Sequence, residues 1–529
     1  MILKVKDENG QFKEVILKGL RGEKGDKGDS GTLYPLQSYE IENDVVDYSK
    51  PVGHVERYGA KPDFVFDNPN SGQDNTIYIQ RAIDTVLRNK GGEIIFGDGM
   101  YRIDGTLYVT SKWHRMVTIK GVDGKYMSFY QVSGGKSVLV KNTDGDLFRI
   151  NLDEQLRGNN GDGGGMYNVT IKNLAIISTE PQANVTGFNM FTTRVNMENV
   201  LAYDIYCLVN QDEYDSLGNF NYCDFCTYRN INLSGIKHKG LVLKMPDSST
   251  LEDIYCHAYQ NDCKHLIDIK GGAGFTLKNC IFTWQFDNLS SGVDGSTSFV
   301  KIDNCKGFTI QDTYIERTYL TNAIILSRCQ NAKIQSITDV YDSNTLIKLY
   351  NCNNISIDGI YRDVFLTDGY YDIYFSGTNR AISIHNSTVK RRQAEAGQNS
   401  PEPIERTMIF GGSINRSELI GDSITAYISY DGSKWNLTDD KGNALNTLLA
   451  SGSWDNSSYS YQFAGSSKIG KGIIKGIYLP YVSKNELPYI PISRNTNNYT
   501  AISFFDRSTG TRVESVNSKM KCIINVDIF

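Results

Sequence analysis

One short motif recurs through the middle of the chain and constrains its fold more than any other feature. It is an apolar residue, any residue, then Asn, Asp, Gly or Ser, then an apolar or small residue. Its first positions, 23 to 33 residues apart, are Ile171, Met197, Tyr228, Leu251, Leu277, Ile310, Ile334, Ile357 and Ile384. A repeat of this length without helical periodicity excludes tetratricopeptide and ankyrin arrays and is typical of a solenoid of short strands.

The residues around the motif predict a parallel β-helix. Apolar residues alternate with polar ones, as at Phe308 and Ile310, which is the period of a β-strand. The third motif residue suits a left-handed corner between strands, because Asn, Asp and Gly tolerate positive φ best. An earlier copy begins at Ile119, and its distance of 52 residues from Ile171 predicts two further coils between them.

The cysteines are interpreted as core residues. Cys305, Cys329 and Cys352 each lie five residues before a motif, so they are expected to stack as inert thiols in one interior column. Cys223 and Cys226 form a lone CxxC pair without a second pair at zinc-finger spacing, and we interpret them as buried thiols. No cofactor is expected.

The N-terminal region carries glycine at every third position from Gly19 to Gly31, which is the collagen period. Four such triplets cannot hold a triple helix alone, and a flexible linker is the alternative. The functional interpretation is that three chains meet here.

Further changes in residue pattern divide the chain into segments. An amphipathic run that opens at Asp74 and stops at Gly91 predicts a helix covering the open end of the solenoid. Beyond the basic residues at 390–392, short alternating strands and Asp-Gly turns predict a separate all-β domain of the sandwich type. The predicted divisions are a head (1–18), a collagen-like segment (19–31), a neck (32–54), a β-helix (55–390), a linker (391–404) and a C-terminal β domain (405–529).

Charge and hydropathy exclude several whole-chain functions. The formal net charge is −5, which argues against nucleic-acid binding. Hydrophobic residues make up 40% of the chain, too many for disorder, and no apolar run reaches the ~20 residues of a membrane span. We therefore expect neither nucleic-acid binding nor membrane insertion.

Residues 55–390 resemble the pectate-lyase-like right-handed β-helix family in the version found on bacteriophage tailspikes and neck appendages. The resemblance rests on residues 58–61 (Tyr-Gly-Ala-Lys), on the helix entry at 74–84 and on residues 91–96 leading to Tyr101. It implies a homotrimeric spike whose N-terminus docks on other virion proteins and whose β-helix binds or cleaves a bacterial surface glycan. Such a protein is made in the host cytoplasm, carried on the virion and active at the bacterial surface.

The repeat register predicts where the chemistry lies. The third and fifth residues after the motif's first position are mostly apolar, so the fourth and sixth should face solvent. The fourth-position column is Tyr255, Ile281, Tyr314, Thr338 and Tyr361, and the sixth-position column is His257, Thr283, Glu316, Val340 and Asp363. Aromatic rings beside carboxylates suit a polysaccharide groove, because rings stack on sugars and carboxylates bind hydroxyls or move protons.

Glu316 is the predicted general acid. Asp363 or Asp287 is the predicted base, and Asp342 is a further alternative. Asp339 lies on an inward column, where we expect it to pair with Arg362. The predicted substrate-binding residues are Trp284, Tyr314, Tyr255, His257, Tyr361, Arg317 and Asp342.

Three functions remain open from the sequence. The first is a tailspike depolymerase that hydrolyses a capsule, exopolysaccharide or teichoic acid, the last as a phosphodiesterase. A polysaccharide lyase is less favoured, because His257 and Arg317 are the only basic groups placed on that face. The second is a non-catalytic adhesion spike. The third is a rigid stalk that carries a C-terminal receptor-binding domain.

Overall fold

The computed structural model describes the solenoid with short gaps and the chain ends as strand backbone. Side chains are described within residues 33–110, 116–122, 137–152, 168–181, 183–211, 223–257, 263–283, 297–316, 322–340, 345–363 and 371–390. Backbone alone is described for residues 2–6, 12–16, 258, 284, 364–365 and 391–392 and for the strands from residue 404 onward. The Gly-x-y segment 19–31 lies outside the described residues.

The described elements are almost entirely strands. One α-helix, α1, spans Thr76–Arg88, and two 3-10 turns span Glu42–Asp44 and Val55–Tyr58. The strands are β1 (Ile2–Lys6), β2 (Phe12–Ile16), β3 (Gly91–Ile95), β4 (Gly99–Arg102), β5 (Leu107–Val109), β6 (Met116–Lys120), β7 (Ser137–Val140), β8 (Gly145–Ile150), β9 (Val169–Ile177), β10 (Val185–Met190), β11 (Asn196–Tyr203), β12 (Cys207–Asn210), β13 (Thr227–Ser234), β14 (Lys239–Lys244), β15 (Thr250–Ala258), β16 (His265–Lys270), β17 (Thr276–Lys278), β18 (Ile281–Trp284), β19 (Ser298–Asp303), β20 (Thr309–Glu316), β21 (Asn322–Ser327), β22 (Gln330–Val340), β23 (Thr345–Tyr350), β24 (Asn353–Phe365), β25 (Tyr371–Ser376), β26 (Arg380–His385), β27 (Thr388–Arg392), β28 (Ile404–Arg406), β29 (Phe410–Gly412), β30 (Leu419–Ile420), β31 (Asp422–Tyr430), β32 (Trp435–Thr438), β33 (Gly452–Asp455), β34 (Ser460–Phe463), β35 (Ile473–Tyr478), β36 (Tyr489–Asn495), β37 (Thr500–Asp506) and β38 (Lys521–Ile528).

Helix α1 covers the N-terminal end of the solenoid, as the sequence predicts. The Asp74 carboxylate accepts hydrogen bonds from the backbone N–H groups of Thr76 and Asp104, both at 3.0 Å, and so ties the helix start to the first coil. After the helix, Gly91 takes a positive φ of 112°. The buried residues of the helix are Ile79, Ala82, Ile83, Thr85 and Val86.

Two long parallel sheets run the length of the solenoid. We name sheet I the eleven-stranded sheet ordered β5, β8, β10, β12, β14, β16, β19, β21, β23, β25 and β29. We name sheet II the sheet that includes β9, β11, β13, β15, β17, β18, β20, β22, β24, β26 and β27. Each coil contributes to both sheets, so the chain folds as the predicted parallel β-helix, and parallel crossovers of this kind are nearly always right-handed.

The motif residue forms a corner inside the sheet II strands. All nine positions from residue 171 onward have positive φ, between 49° and 72°. They are Asn173, Asn199, Asn230, Asp253, Asn279, Asp312, Ser336, Gly359 and Asn386. The left-handed corner is therefore confirmed, but most strands continue through it instead of ending there, so one continuous strand supplies two faces of the coil.

Two further left-handed corners follow the sheet I strands β14, β16, β19, β21, β23 and β25, and the second of them also follows β10 and β12. The sequence motif reveals neither corner. The first is formed by Met245, Gly271, Asn304, Arg328, Asn351 and Gly377. The second, three or so residues later, is formed by Arg194, Phe225, Ser248, Gly274, Gly307, Asn331, Asn354 and Ala381. Non-glycine residues rarely adopt this conformation, and here the hydrogen bonds between neighbouring coils hold it.

The prediction of two extra coils before Ile171 is wrong. Ile119 pairs directly with Ile171, because β6 lies beside the first half of β9 and β7 lies beside its second half. The 52-residue interval is thus a single coil. Adjacent packing is tight, since a Cβ added at Gly121 would lie 2.1 Å from the Asn173 carbonyl oxygen.

The cysteine column is confirmed. Backbone bonds join Gln330 N–H to the Cys305 carbonyl and Asn353 N–H to the Cys329 carbonyl, which places Cys305, Cys329 and Cys352 on successive coils. All three are buried, as are Cys223 and Cys226 of the CxxC pair.

Parallel pairing extends past residue 390. Strand β29 pairs with β25, and β30 pairs with β26, both in parallel. From β31 onward the described strands form two antiparallel sheets, ordered β32-β31-β38-β35 and β33-β34-β37-β36. Strand β28 already pairs with β27 in antiparallel, and all described pairings from β31 onward are antiparallel; the division into domains stays a prediction.

Within the described part of the chain, we find no helix with the length and apolar character that a membrane-spanning segment requires.

Candidate functional site

The strand register aligns the two predicted columns. Tyr255 pairs with Ile281, which pairs with Tyr314, and the column continues through Thr338 to Tyr361. The sixth-position column runs His257, Thr283, Glu316, Val340, Asp363 and Lys390. Each of these two columns is a row of side chains that the stacked coils bring into register. We name the fourth-position row and the sixth-position row together the outer column of sheet II.

The outer column faces away from the core. The residues between its two rows are fully buried, namely Cys256, Phe282, Ile315, Asp339 and Arg362. By contrast, Tyr255 is 36% exposed and Ile281 is 41% exposed. Tyr314, Tyr361, His257 and Glu316 are half-buried, which leaves part of each side chain open to solvent.

Glu316 and Asp363 stand in one row, separated by Val340 alone. Two coil spacings put their Cα atoms about 9 to 10 Å apart. An inverting glycosidase holds its two carboxyl groups about 6.5 to 9.5 Å apart to admit a water molecule, and side-chain rotation covers the difference. Asp363 is 7% exposed, so it is the less accessible carboxylate of the two.

Aromatic and basic groups flank the carboxylates. The rings of Tyr255 and His257 meet edge to face with centroids 6.4 Å apart. Farther along, Lys390 Nζ lies 5.5 Å from the centre of the Tyr361 ring, beside Asp363. The outer column therefore offers ring faces, carboxylates and one ammonium group along a line of stacked coils.

Several predicted site residues cannot be assigned a place in this arrangement. Asp287, Arg317 and Asp342 lie outside the described residues. Trp284 is described by its backbone only, which pairs with Ala258 at the end of β15. Their roles stay predictions.

The expected pairing of Asp339 with Arg362 is confirmed. Arg362 Nε donates to Asp339 Oδ2 at 2.8 Å, and both side chains are fully buried. Arg362 Nη1 also donates to Asp372 Oδ1 at 2.7 Å and to the Tyr371 carbonyl at 2.8 Å. One guanidinium thus ties β22 and β24 of sheet II to β25 of sheet I, directly behind Asp363.

The sequence reasoning overlooked a polar cluster on sheet I. Lys239 Nζ lies 2.6 Å from Asp268 Oδ2, and the His265 ring lies 3.0 Å from Ser298 Oγ. Burial lowers the pKa of His265 to about 4, and the Lys239 ammonium helps hold the pKa of Asp268 below its usual value despite burial. One sequence feature could have revealed this cluster: His265 and Asp268 lie in a six-residue strand that is otherwise apolar up to its last residue.

Among the residues that the structure describes, no group of three His, Cys, Asp or Glu side chains is arranged to hold a metal ion.

Neither protein-family models nor curated proteins match this sequence. Solved structures with weak similarity include the tailspike protein of Acinetobacter baumannii phage AM24, at 9% identity and a TM-score of 0.38, covering 89% of this chain and 82% of that one. They also include a mannuronan C-5 epimerase A-module from Azotobacter vinelandii, at 15% identity and a TM-score of 0.42, covering 68% of this chain and 99% of that one. A DFA-IIIase from Arthrobacter chlorophenolicus A6 aligns at 8% identity with a TM-score of 0.46, over 68% of this chain and 96% of that one.

Proposed function

We propose that this protein is a phage tailspike depolymerase that binds and hydrolyses a bacterial surface polysaccharide during host adsorption. The observation that carries the proposal is the shared outward row of Glu316 and Asp363, two coils apart and beside Tyr314 and Tyr361. The resemblance of the β-helix entry to phage appendages supports the virion setting, with the N-terminus on other virion proteins and three copies per spike.

The proposed mechanism is an inverting hydrolysis. Glu316 donates its proton to the glycosidic oxygen as the bond to the anomeric carbon breaks. Asp363 takes a proton from a water molecule whose oxygen bonds to that carbon from the opposite face. Solvent then returns a proton to Glu316 and removes one from Asp363, so the catalyst is restored. In a teichoic acid, the same pair would serve hydrolysis of a phosphodiester.

Tyr314 and Tyr361 are proposed as platforms for the sugar rings. Both lie in the fourth-position row, and both side chains are half-buried, so part of each is accessible to a sugar ring. Tyr255 and His257 extend this surface toward the N-terminal coils.

A second candidate function is adhesion without catalysis. The exposed stripe of Tyr255 and Ile281 beside half-buried Tyr314 favours it, because ring and aliphatic surfaces bind sugars without needing a reactive pair. In that case Asp363, which is nearly buried, would have a structural role next to Arg362.

Reducing-end release from purified host-surface polysaccharide tests the proposal. The wild-type protein should release ends, and Glu316→Gln should not, while both retain glycan binding. Glu252→Gln is the matched control, because Glu252 lies on the outer side of sheet II before the corner and pairs with Arg229 and Lys278. Release by Glu316→Gln at the wild-type rate would reject this acid. Binding by the wild type with no reducing ends, unsaturated uronates or phosphate esters formed would favour adhesion.

A further inference from the structure

The polar cluster on sheet I lies on the outer side of that sheet. Asp268 alternates with Ile267 and Ile269, which belong to the core, so its side chain points the opposite way. The register pairs Asp268 with Lys301 on the next coil. It also pairs Lys239 with His265, and His265 with Ser298. We name Lys239, His265, Asp268, Ser298 and Lys301 the sheet I cluster.

The sheet I cluster combines a buried ion pair with further charged groups. The Asp268 and Lys239 side chains form an ion pair and are 1% and 20% exposed, so the pair is mostly removed from water but reaches it through the lysine. The positive charges of Lys301 and Lys239 act on the His265 ring, and so does the negative charge of Asp268. The cluster therefore holds two ammonium groups around one carboxylate and one imidazole.

One atom of the cluster lacks a partner within the described structure. Asp268 Oδ1 is buried and accepts no hydrogen bond from the described residues. A carboxylate oxygen in that position costs free energy unless a water or a ligand supplies a donor. Nor does any hydrogen bond or ion pair join Lys301 Nζ to another residue of the described part. A buried acceptor without a described donor and a cation without a described bond thus lie on neighbouring coils.

The same row continues with groups that suit an extended chain. Beyond Lys301 it runs through Ile325 and Lys348 to Tyr374. Lys348 Nζ lies 5.8 Å from the centre of the Tyr374 ring, and the Tyr371 ring meets Tyr374 at 5.3 Å. Four coil spacings separate Asp268 from Tyr374, or about 19 Å.

We propose that the sheet I cluster binds a polyol unit carrying an anionic group, as a uronate or a glycerol or ribitol phosphate does. Asp268 Oδ1 accepts a hydroxyl of that unit, and Lys301 with Lys239 contacts its carboxylate or phosphate. The inference deepens the proposed function and rests on it: the polysaccharide is acidic, and it is bound at sheet I as well as at the outer column of sheet II.

Equilibrium binding by calorimetry tests this with four probes and the full-length chain. The probes are an oligoglucuronate tetrasaccharide, its neutral counterpart cellotetraose, a poly(glycerol phosphate) oligomer, and glycerol. We expect one acidic probe to bind at least about tenfold tighter than its neutral counterpart, the size expected for a charge-assisted contact. Which acidic probe binds distinguishes a uronate polymer from a teichoic acid.

The variant Lys301→Gln should lose most of that difference without affecting folding, because Lys301 forms no bond with the described residues. Lys333→Gln is the matched control, since Lys333 is exposed on sheet II. Equal affinity for acidic and neutral probes, or unchanged acidic binding by Lys301→Gln, would overturn the inference. Repeating the titrations with Glu316→Gln separates the two proposals: acid-selective, Lys301-dependent binding supports this one even if no hydrolysis is found.

Discussion

Arg362 and Asp339 form an ion pair of 2.8 Å inside the solenoid, where apolar side chains occupy most inward positions. The guanidinium also bonds to Asp372, so one cation serves two buried carboxylates. Burial alone would lower the pKa of Arg362, but the two aspartates raise it above its usual value. The pair connects the two sheets behind the proposed site.

Replacing Arg362 by leucine should strongly destabilise the protein. The change leaves Asp339 and Asp372 buried without their cation, a defect that costs about 3 to 5 kcal/mol. The pair of exposed Arg328 with half-buried Asp303 provides the control, since Arg328→Leu should destabilise the protein far less. Urea denaturation measures both, and equal losses would mean that the buried pair contributes no more than a surface one.

Asp363→Asn should slow reducing-end release by on the order of 100-fold or more, because a general base typically contributes that much. Glycan affinity should change little. Asp358→Asn is the control on the same strand, since Asp358 lies before the corner and accepts a hydrogen bond from Asn386 at 2.8 Å. If turnover is retained in Asp363→Asn, Asp287 or Asp342 becomes the candidate base.

Asn173, Asn199 and Asn230 form a ladder of hydrogen-bonded side chains at the sheet II corner. This ladder should stabilise the folded protein both by its left-handed backbone conformation and by its hydrogen bonds. Asn199 donates to Asn173 Oδ1 at 2.8 Å and accepts from Asn230 Nδ2 at 3.2 Å, at a φ of 56°. Asn199→Gly keeps the left-handed backbone and should cost about 1 to 2 kcal/mol through the lost bonds. Asn199→Ala should cost a further ~1 kcal/mol, because alanine resists positive φ. Thermal unfolding of both variants measures the difference in stability between them. Equal losses of stability in the two variants would mean that the left-handed conformation makes no contribution.

Acidification should destabilise the protein through His265. Burial is the main cause of its lowered pKa; Lys301, Lys239 and His238 act in the same direction, and Asp268 opposes them. The unfolded chain binds a proton near pH 6.5 and the folded chain only near pH 4, so stability falls as the pH drops between these values. The loss reaches about 3 kcal/mol. Urea titrations at pH 7, 5.5 and 4.5 should show a weaker pH dependence for His265→Gln than for wild type; parallel curves would contradict the assignment.

The cysteines should be inert in the folded protein. Burial raises the pKa of Cys207, Cys226 and Cys280 to about 12 in each case. The nine described cysteines are all buried and unbridged. A thiol reagent such as DTNB should therefore label none of these nine at pH 8 until denaturant is added. Rapid labelling of any of them in the native protein would show that its coil opens.

The repeat in the sequence was sufficient to predict the β-helix, the left-handed corner at Asn199 and its equivalents, and the rows that contain Glu316 and Asp363. The reason is that stacked coils place residues one repeat apart in direct register, so spacing along the chain becomes position in space. The capping helix was predictable too, since its buried stripe follows the helical period.

Only the tertiary structure decided features that depend on which coils are neighbours. Ile119 pairs with Ile171 although 52 residues separate them, because insertions break the link between spacing and coil count. The sheet I cluster was equally hidden. Lys239 and Asp268 are 29 residues apart and outside the motif, and only coil stacking gives them a common buried environment. Periodicity specifies the register of a solenoid. The burial of polar groups, and buried atoms without a hydrogen-bond partner, arise only when the coils pack together.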